Sequence, residues 1–123
     1  MSVSTFTRGY EASAIIAPYR IVRFSDAAAS SKVATASAAT GQALVGTTGK
    51  IGASAAGQMA DVERAGLNPV QLGGPVNAGD WLTSDANGKA IATTTIGHQV
   101  IGRAERPGIA DDIINYFAAP GTL

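Results

Sequence analysis

Few side chains in this 123-residue chain have the type and spacing that catalysis or ligation needs. His98 is the single histidine and there is no cysteine. A catalytic triad or a zinc site draws several such groups together from different elements, so His98, in a Gly97-His98-Gln99 turn, reads as a surface residue. Asp111 and Asp112 form a carboxylate pair. Acid and base partners must face each other across a site in unlike environments, whereas neighbours along a strand point to opposite faces. They read as a turn entering a last strand. Gly46-Thr47-Thr48-Gly49-Lys50-Ile51 superficially matches a phosphate loop. With Gly49-Lys50 fixed, that pattern wants glycine where Leu44 stands and Ser or Thr where Ile51 stands. Gly73-Gly74 lacks the strand–glycine–helix setting of a dinucleotide site. No catalytic, cofactor-binding or metal-ligating residue is assigned, no cofactor is expected, and the chain reads as a protein that is not an enzyme.

The bulk properties point the same way. Nine Lys+Arg balance nine Asp+Glu. Nucleic-acid binders show a basic excess or stripe, because phosphate neutralisation dominates their affinity, so no direct nucleic-acid partner is expected. The first residues lack the charged start and apolar run of a signal peptide. The longest apolar stretch near that end, Ala14 to Pro18, is far shorter than a membrane span. The expectation is a soluble protein made in a cytoplasm, with no membrane partner. Apolar residues make up 46%, but only three Phe, three Tyr and one Trp are aromatic, while Gly numbers 15. Small residues suit thin β-layers and close backbone approach better than a deep pocket.

The elements that would position any site are short strands. β-formers cluster at Arg20 to Phe24, Lys32 to Thr35, Gln42 to Val45, Gln58 to Arg64, Pro69 to Leu72, Trp81 to Ser84, Lys89 to Thr93, Gln99 to Glu105 and Asp112 to Ala118. Gly, Asn, Asp and Pro punctuate them at short intervals. Many short strands so spaced predict an all-β fold, a small barrel or sandwich, rather than βαβ units. The Ala/Ser stretch Asp26 to Ala39 lacks an apolar stripe and reads as a loop and short strand. Ser84-Asp85-Ala86-Asn87-Gly88-Lys89 is a hairpin turn with a mechanism: Asp85 can accept bonds from its own backbone, and Asn87-Gly88 tolerates positive φ.

Two segments resemble each other. Ser25-Asp26, Lys32 to Thr35 and Gly41-Gln-Ala-Leu-Val-Gly46 correspond to Ser84-Asp85, Lys89 to Thr93 and Gly97-His-Gln-Val-Ile-Gly102, the last pair without gaps at an offset of 56. Either one β-module is duplicated or a low-complexity Ala/Gly/Thr sequence resembles itself by chance. Residues 1–18 differ from the rest: polar, with isolated Val3, Phe6 and Tyr10, no two-residue period, and Pro18 at the end. They read either as a loose N-terminus or as an extended arm preceding a β-domain over 19–123. Trp81 reads either as core or as an interface anchor.

From Met59 onward the order of motifs is more specific than its parts: Ala60-Asp-Val-Glu-Arg-Ala-Gly66, Val70-Gln-Leu-Gly-Gly74, Val76-Asn-Ala-Gly-Asp80, Leu82-Thr-Ser-Asp-Ala-Asn-Gly-Lys-Ala90, Val100-Ile-Gly102 and Asp111-Asp-Ile-Ile114, with Leu44-Val-Gly46 upstream. This resembles the phage capsid cement, or head decoration, family over roughly residues 19–123. The resemblance implies a structural protein of the bacteriophage virion. It would bind the outer capsid surface with the major capsid protein as partner, as a homotrimer, stabilising the head. Gly66, Gly73, Gly74, Gly79, Asp80, Asp85 and Gly88, with Asn87 in the same hairpin, would be turn residues. Contact with the capsid is expected from the arm, through Val3, Phe6, Arg8 and Tyr10. Contact between copies is expected from Trp81, Tyr116 and Phe117. The alternatives are a glycan-binding β-module on the virion surface and a tail or baseplate component.

Overall fold

The computed structural model describes residues 6–26, 28, 31–39 and 41–123. Within them the chain is all β, and no helix forms. Five strands, β1 (Phe6–Ala12), β2 (Ile21–Phe24), β3 (Lys32–Thr35), β4 (Leu44–Thr48) and β5 (Met59–Ala65), close into a barrel in the order β1-β3-β2-β4-β5. Gly66, at φ 82°, turns the chain into a second set. This set comprises β6 (Leu67–Gln71), β7 (Trp81–Ser84), β8 (Ala90–Ala92), β9 (Gln99–Ala104) and β10 (Ile113–Thr122), in the order β6-β10-β9-β7-β8. A parallel bridge, Leu72 to Ala90, joins its two edges.

The two sets have one connectivity. β1 runs parallel to β3 (Ala12 opposite Val33), and all other neighbours in the first barrel are antiparallel. The Leu72–Ala90 bridge is the parallel counterpart in the second set, where the rest is again antiparallel. The loops agree in detail. Ile16 bridges Ala53, as Val76 bridges Gly108. Gly57 N–H donates to the Ala12 carbonyl and Asp111 N–H to the Leu72 carbonyl, both at 2.8 Å. Gly46 in β4 and Gly102 in β9 are both buried, and a Cβ at either would collide with a carbonyl oxygen of the next strand, that of Glu63 or Phe117. The similarity between the segments ending at Gly46 and Gly102 is therefore a duplicated β-module.

Alternation explains the cores. Tyr10, Ala12, Val22, Val33, Ala60 and Val62 point into the first barrel and are fully buried, with Val45 nearly so. Phe24 meets the Tyr10 ring edge-on at 6.1 Å. Val70, Leu72, Leu82, Ala90, Ile101, Ile114 and Tyr116 fill the second module. Burying each Val, Leu or Ile among them stabilises by about 1.5–3 kcal/mol before entropy is counted.

The N-terminal arm requires correction. Residues 6–12 are β1, paired along their length with β5 and completing the first barrel, so the first module starts well before residue 19. The two-residue period was hidden because the inward position Arg8 is charged, at the barrel rim, and Gly9 has no side chain.

Candidate interaction surfaces

The turn residues singled out in the sequence shape the second module. Asp85 Oδ1 accepts from the backbone N–H of Asn87 (2.8 Å) and Lys89 (2.9 Å), which fixes the hairpin between β7 and β8. Gly88, at φ 75°, lies against Thr35 and the Ile21 carbonyl of the first module, and Ile21 N–H donates to the Gly88 carbonyl at 2.7 Å. A side chain there would meet both a backbone penalty and its neighbour. Asp80 Oδ2 caps Asn77 N–H at 2.9 Å, beside Gly79 at φ 87°. Gly73 sits where a Cβ would strike the Asp85 carboxylate, whereas Gly74 has room.

The residues considered for chemistry do not converge. His98 Nδ1 bonds Thr93 Oγ1 at 2.7 Å. Asp111 has φ 70° and pairs with Lys89 Nζ at 2.6 Å. That bond, more than the lysine's charge, holds its carboxyl below the usual range. Asp112 turns away to accept from Ile109 N–H at 3.0 Å. Among the described residues no group of three or more His, Asp or Glu is placed to hold a metal.

The three residues expected between copies separate. Tyr116 is 1% exposed and its hydroxyl lies 3.2 Å from Thr47 Oγ1. Burial pushes its pKa up, against hydrogen bonds that lower it. It joins the two modules and is not a surface residue. Trp81 and Phe117 are on the outer side of the second sheet. Both are register partners of Arg103, so Trp81, Arg103 and Phe117 form one row across β7, β9 and β10, and Leu67 of β6 continues it opposite Phe117. The Arg103 guanidinium stacks 4.3 Å from the Trp81 ring centroid. Phe117 is 58% exposed. Next to the row, Gly79, Asp80, Thr93 and Thr94 help line a groove of about 320 Å3.

The same row exists in the first module as Ile21, Thr47 and Glu63, and there it is covered. Ile21, which points out of its own barrel, is fully buried in the core of the second module. Glu63 Oε2 is buried without a hydrogen-bond partner among the described residues, and desolvation raises the Glu63 pKa. The duplicated face is thus an internal contact in one module and an open surface in the other.

The residues expected at the capsid also separate. Val3 lies outside the described residues. Phe6 opens β1 opposite Ala65. Tyr10 is 0% exposed and is a core residue rather than an anchor. Arg8 is exposed at the rim above it. Sequence reasoning missed Arg64 and Arg103, because a charged residue within a β-run reads as a solvated position.

No family model matches the chain, and no curated protein matches it by sequence. Among solved structures it is similar to the head fiber gp8.5 N base of bacteriophage phi29, with a TM-score of 0.70 at 17% sequence identity. The alignment covers 98% of this chain and 98% of that one. The chain therefore has, along nearly its whole length, the fold of that phage head fiber base.

Proposed function

We propose that this protein is a non-enzymatic structural component of a bacteriophage head, carried on the outer capsid surface and bound to the major capsid protein lattice. The observation that carries the reading is the end-to-end fold match to a phage head fiber base. It agrees in kind with the resemblance of Met59 to Leu123 to head decoration proteins. Such a role needs surfaces and no chemistry. A protein that binds the assembled lattice but not free subunits stabilises the lattice by mass action, and several linked feet multiply modest single-site energies.

A homotrimer is the second part of the proposal, with the Trp81–Arg103–Phe117 row as the contact. The support is internal: the equivalent row of the first module is already covered by protein. A contact repeated head-to-tail between copies closes into a ring when the rotation permits; the resemblance supplies the number three. The glycan-binding alternative is disfavoured because the Arg103 guanidinium stacks on the Trp81 ring that a sugar would use.

The test is native mass of the purified protein, then co-sedimentation with heads lacking it. A trimer that saturates the heads supports the proposal, and a Phe117→Ala variant should then dissociate. A monomer that leaves heads bare overturns it and favours the tail or baseplate alternative.

A further inference from the structure

Two β-bulges meet at the rim of the first barrel. The register of β5 with β1 slips between Phe6 and Thr7, which leaves Arg64 without a cross-strand partner. The register of β4 with β2 slips between Val22 and Arg23, which leaves Val45 without one. A bulge re-aims the side chain it carries. Arg64 is directed across the rim, where Nε donates to the Val45 carbonyl at 3.2 Å and Nη1 to the Tyr10 hydroxyl at 3.0 Å. Arg8 reaches the same oxygen from β1, with Nη1 at 3.4 Å and Cζ 4.6 Å from the Tyr10 ring centroid. Tyr10 is held from below by burial and by Phe24.

Two guanidinium groups thus converge on one neutral oxygen. Among the described residues the one ion pair is Lys89–Asp111, and neither arginine takes part in it. The carboxylates nearest in sequence are Glu11, Asp61 and Glu63; all three take outward positions, Glu11 on β1 opposite Met59 and Asp61 and Glu63 on β5 opposite Gly9 and Thr7. Like charges brought together without a counter-charge repel, yet bulge geometry and a buried phenol hold these two in place. Each guanidinium has five donors in a rigid fork, and most of those on Arg8 and Arg64 have no acceptor among the described residues.

We infer that this rim is a receptor for a carboxylate, and that the occupant is an acidic side chain of a partner protein. The planar fork matches a carboxylate in a way that a lysine cluster would not. A polyanion is disfavoured, because nine basic residues are balanced by nine acidic ones, whereas phosphate-backbone binding draws its affinity from a basic excess. The inference deepens the proposed function by naming the chemistry of the lattice contact. It rests on that reading for the partner, not for the receptor.

Two experiments keep the claims apart. In the first, the Nε–H resonances of Arg8 and Arg64 are followed by NMR while the protein is titrated with hexaglutamate or, separately, with inorganic phosphate at matched ionic strength. Saturable shifts of both resonances with hexaglutamate are expected in the wild type, with the Arg64 shift lost in Arg8→Gln and partly kept in Arg8→Lys. No saturable shift, or an equal response to phosphate, overturns the receptor. In the second, Arg8→Glu is sedimented with heads lacking the protein. Loss of binding by about tenfold or more, with an unchanged far-UV spectrum, is expected. Undiminished binding overturns the contact and leaves the head assignment intact. If the wild type itself fails to bind, the head assignment falls and the NMR titration alone decides the receptor.

Discussion

Ile21→Ala tests whether the two modules fold as one unit. Ile21 belongs to β2 of the first barrel, but its side chain is 0% exposed inside the second module's core. The substitution removes three carbons. At about 0.8 kcal/mol per buried CH2 that is about 2.4 kcal/mol, and the cavity left behind brings the loss to about 3 kcal/mol. With a urea m-value of about 1.5 kcal/mol/M, the midpoint should fall by about 2 M. The single tryptophan, Trp81, sits in β7 under the Arg103 guanidinium and reports the second module alone. Far-UV circular dichroism reports both modules. If the interface couples them, Ile21→Ala moves both signals together, although the mutated strand belongs to the other barrel. Val33→Ala, inside the first barrel core, should also move both. A Trp81 transition that stays at the wild-type midpoint while the dichroism shifts would refute the coupling.

Gly102→Ala should cost at least about 3 kcal/mol, because φ there is 151° and the new Cβ collides with the Phe117 carbonyl. Gly74→Ala, whose nearest neighbour would be Ile91 Cγ2 at 3.8 Å, should stay within about 0.5 kcal/mol; equal losses in urea titrations would contradict the packing. Asp85→Ala removes two backbone bonds from the β7–β8 turn and should lower stability by about 1–2 kcal/mol, with no loss refuting the turn's role. Burial raises the Glu63 pKa above 4.5, so its share of stability is present below that value and lost as pH rises through the folded pKa. Glu63→Gln should therefore unfold at higher urea than wild type at pH 7, and the two should converge in acid. A variant weaker at pH 7 would show that the carboxylate is satisfied.

Nine of the ten strands were legible because β-branched runs and glycine or Asp-Asn-Gly punctuation mark them directly. The duplication was legible at Gly46 and Gly102, where the same backbone crowding operates twice, and illegible at the first strands, where Ala12 answers to Leu72 and Tyr19 to Gly79. Those pairs share a backbone position but differ in size, as Ala12 and Leu72 do, or in type, as Tyr19 and Gly79 do. β1 was missed because its inward residues are Arg8, Tyr10 and Ala12, a charged, an amphipathic and a small group. The fate of Tyr116 was equally hidden. Alternation along Ile113 to Phe117 assigns Tyr116 and Phe117 to opposite faces, but which face is buried is set by contacts such as that of Tyr116 with Thr47 of the first module, between residues far apart in sequence.

The divergence between the two copies supports the division of labour we propose. The row Ile21–Thr47–Glu63 faces protein, and two of its three residues are wholly buried. Its counterpart carries Trp81, Arg103 and Phe117, larger groups on a face that the described residues leave open. An exposed apolar row on a free-standing monomer invites association, and stacking Arg103 on Trp81 keeps a charge over that row. At the other module the rim has diverged in the opposite sense. Arg8, Tyr10 and Arg64 occupy positions that Asn68, Val70 and Ala118 fill in the copy, so the paired cations exist once per chain. One duplicated scaffold thus presents two dissimilar surfaces, an exposed row that in the role we propose would meet other copies, and a cationic rim that would meet a carboxylate.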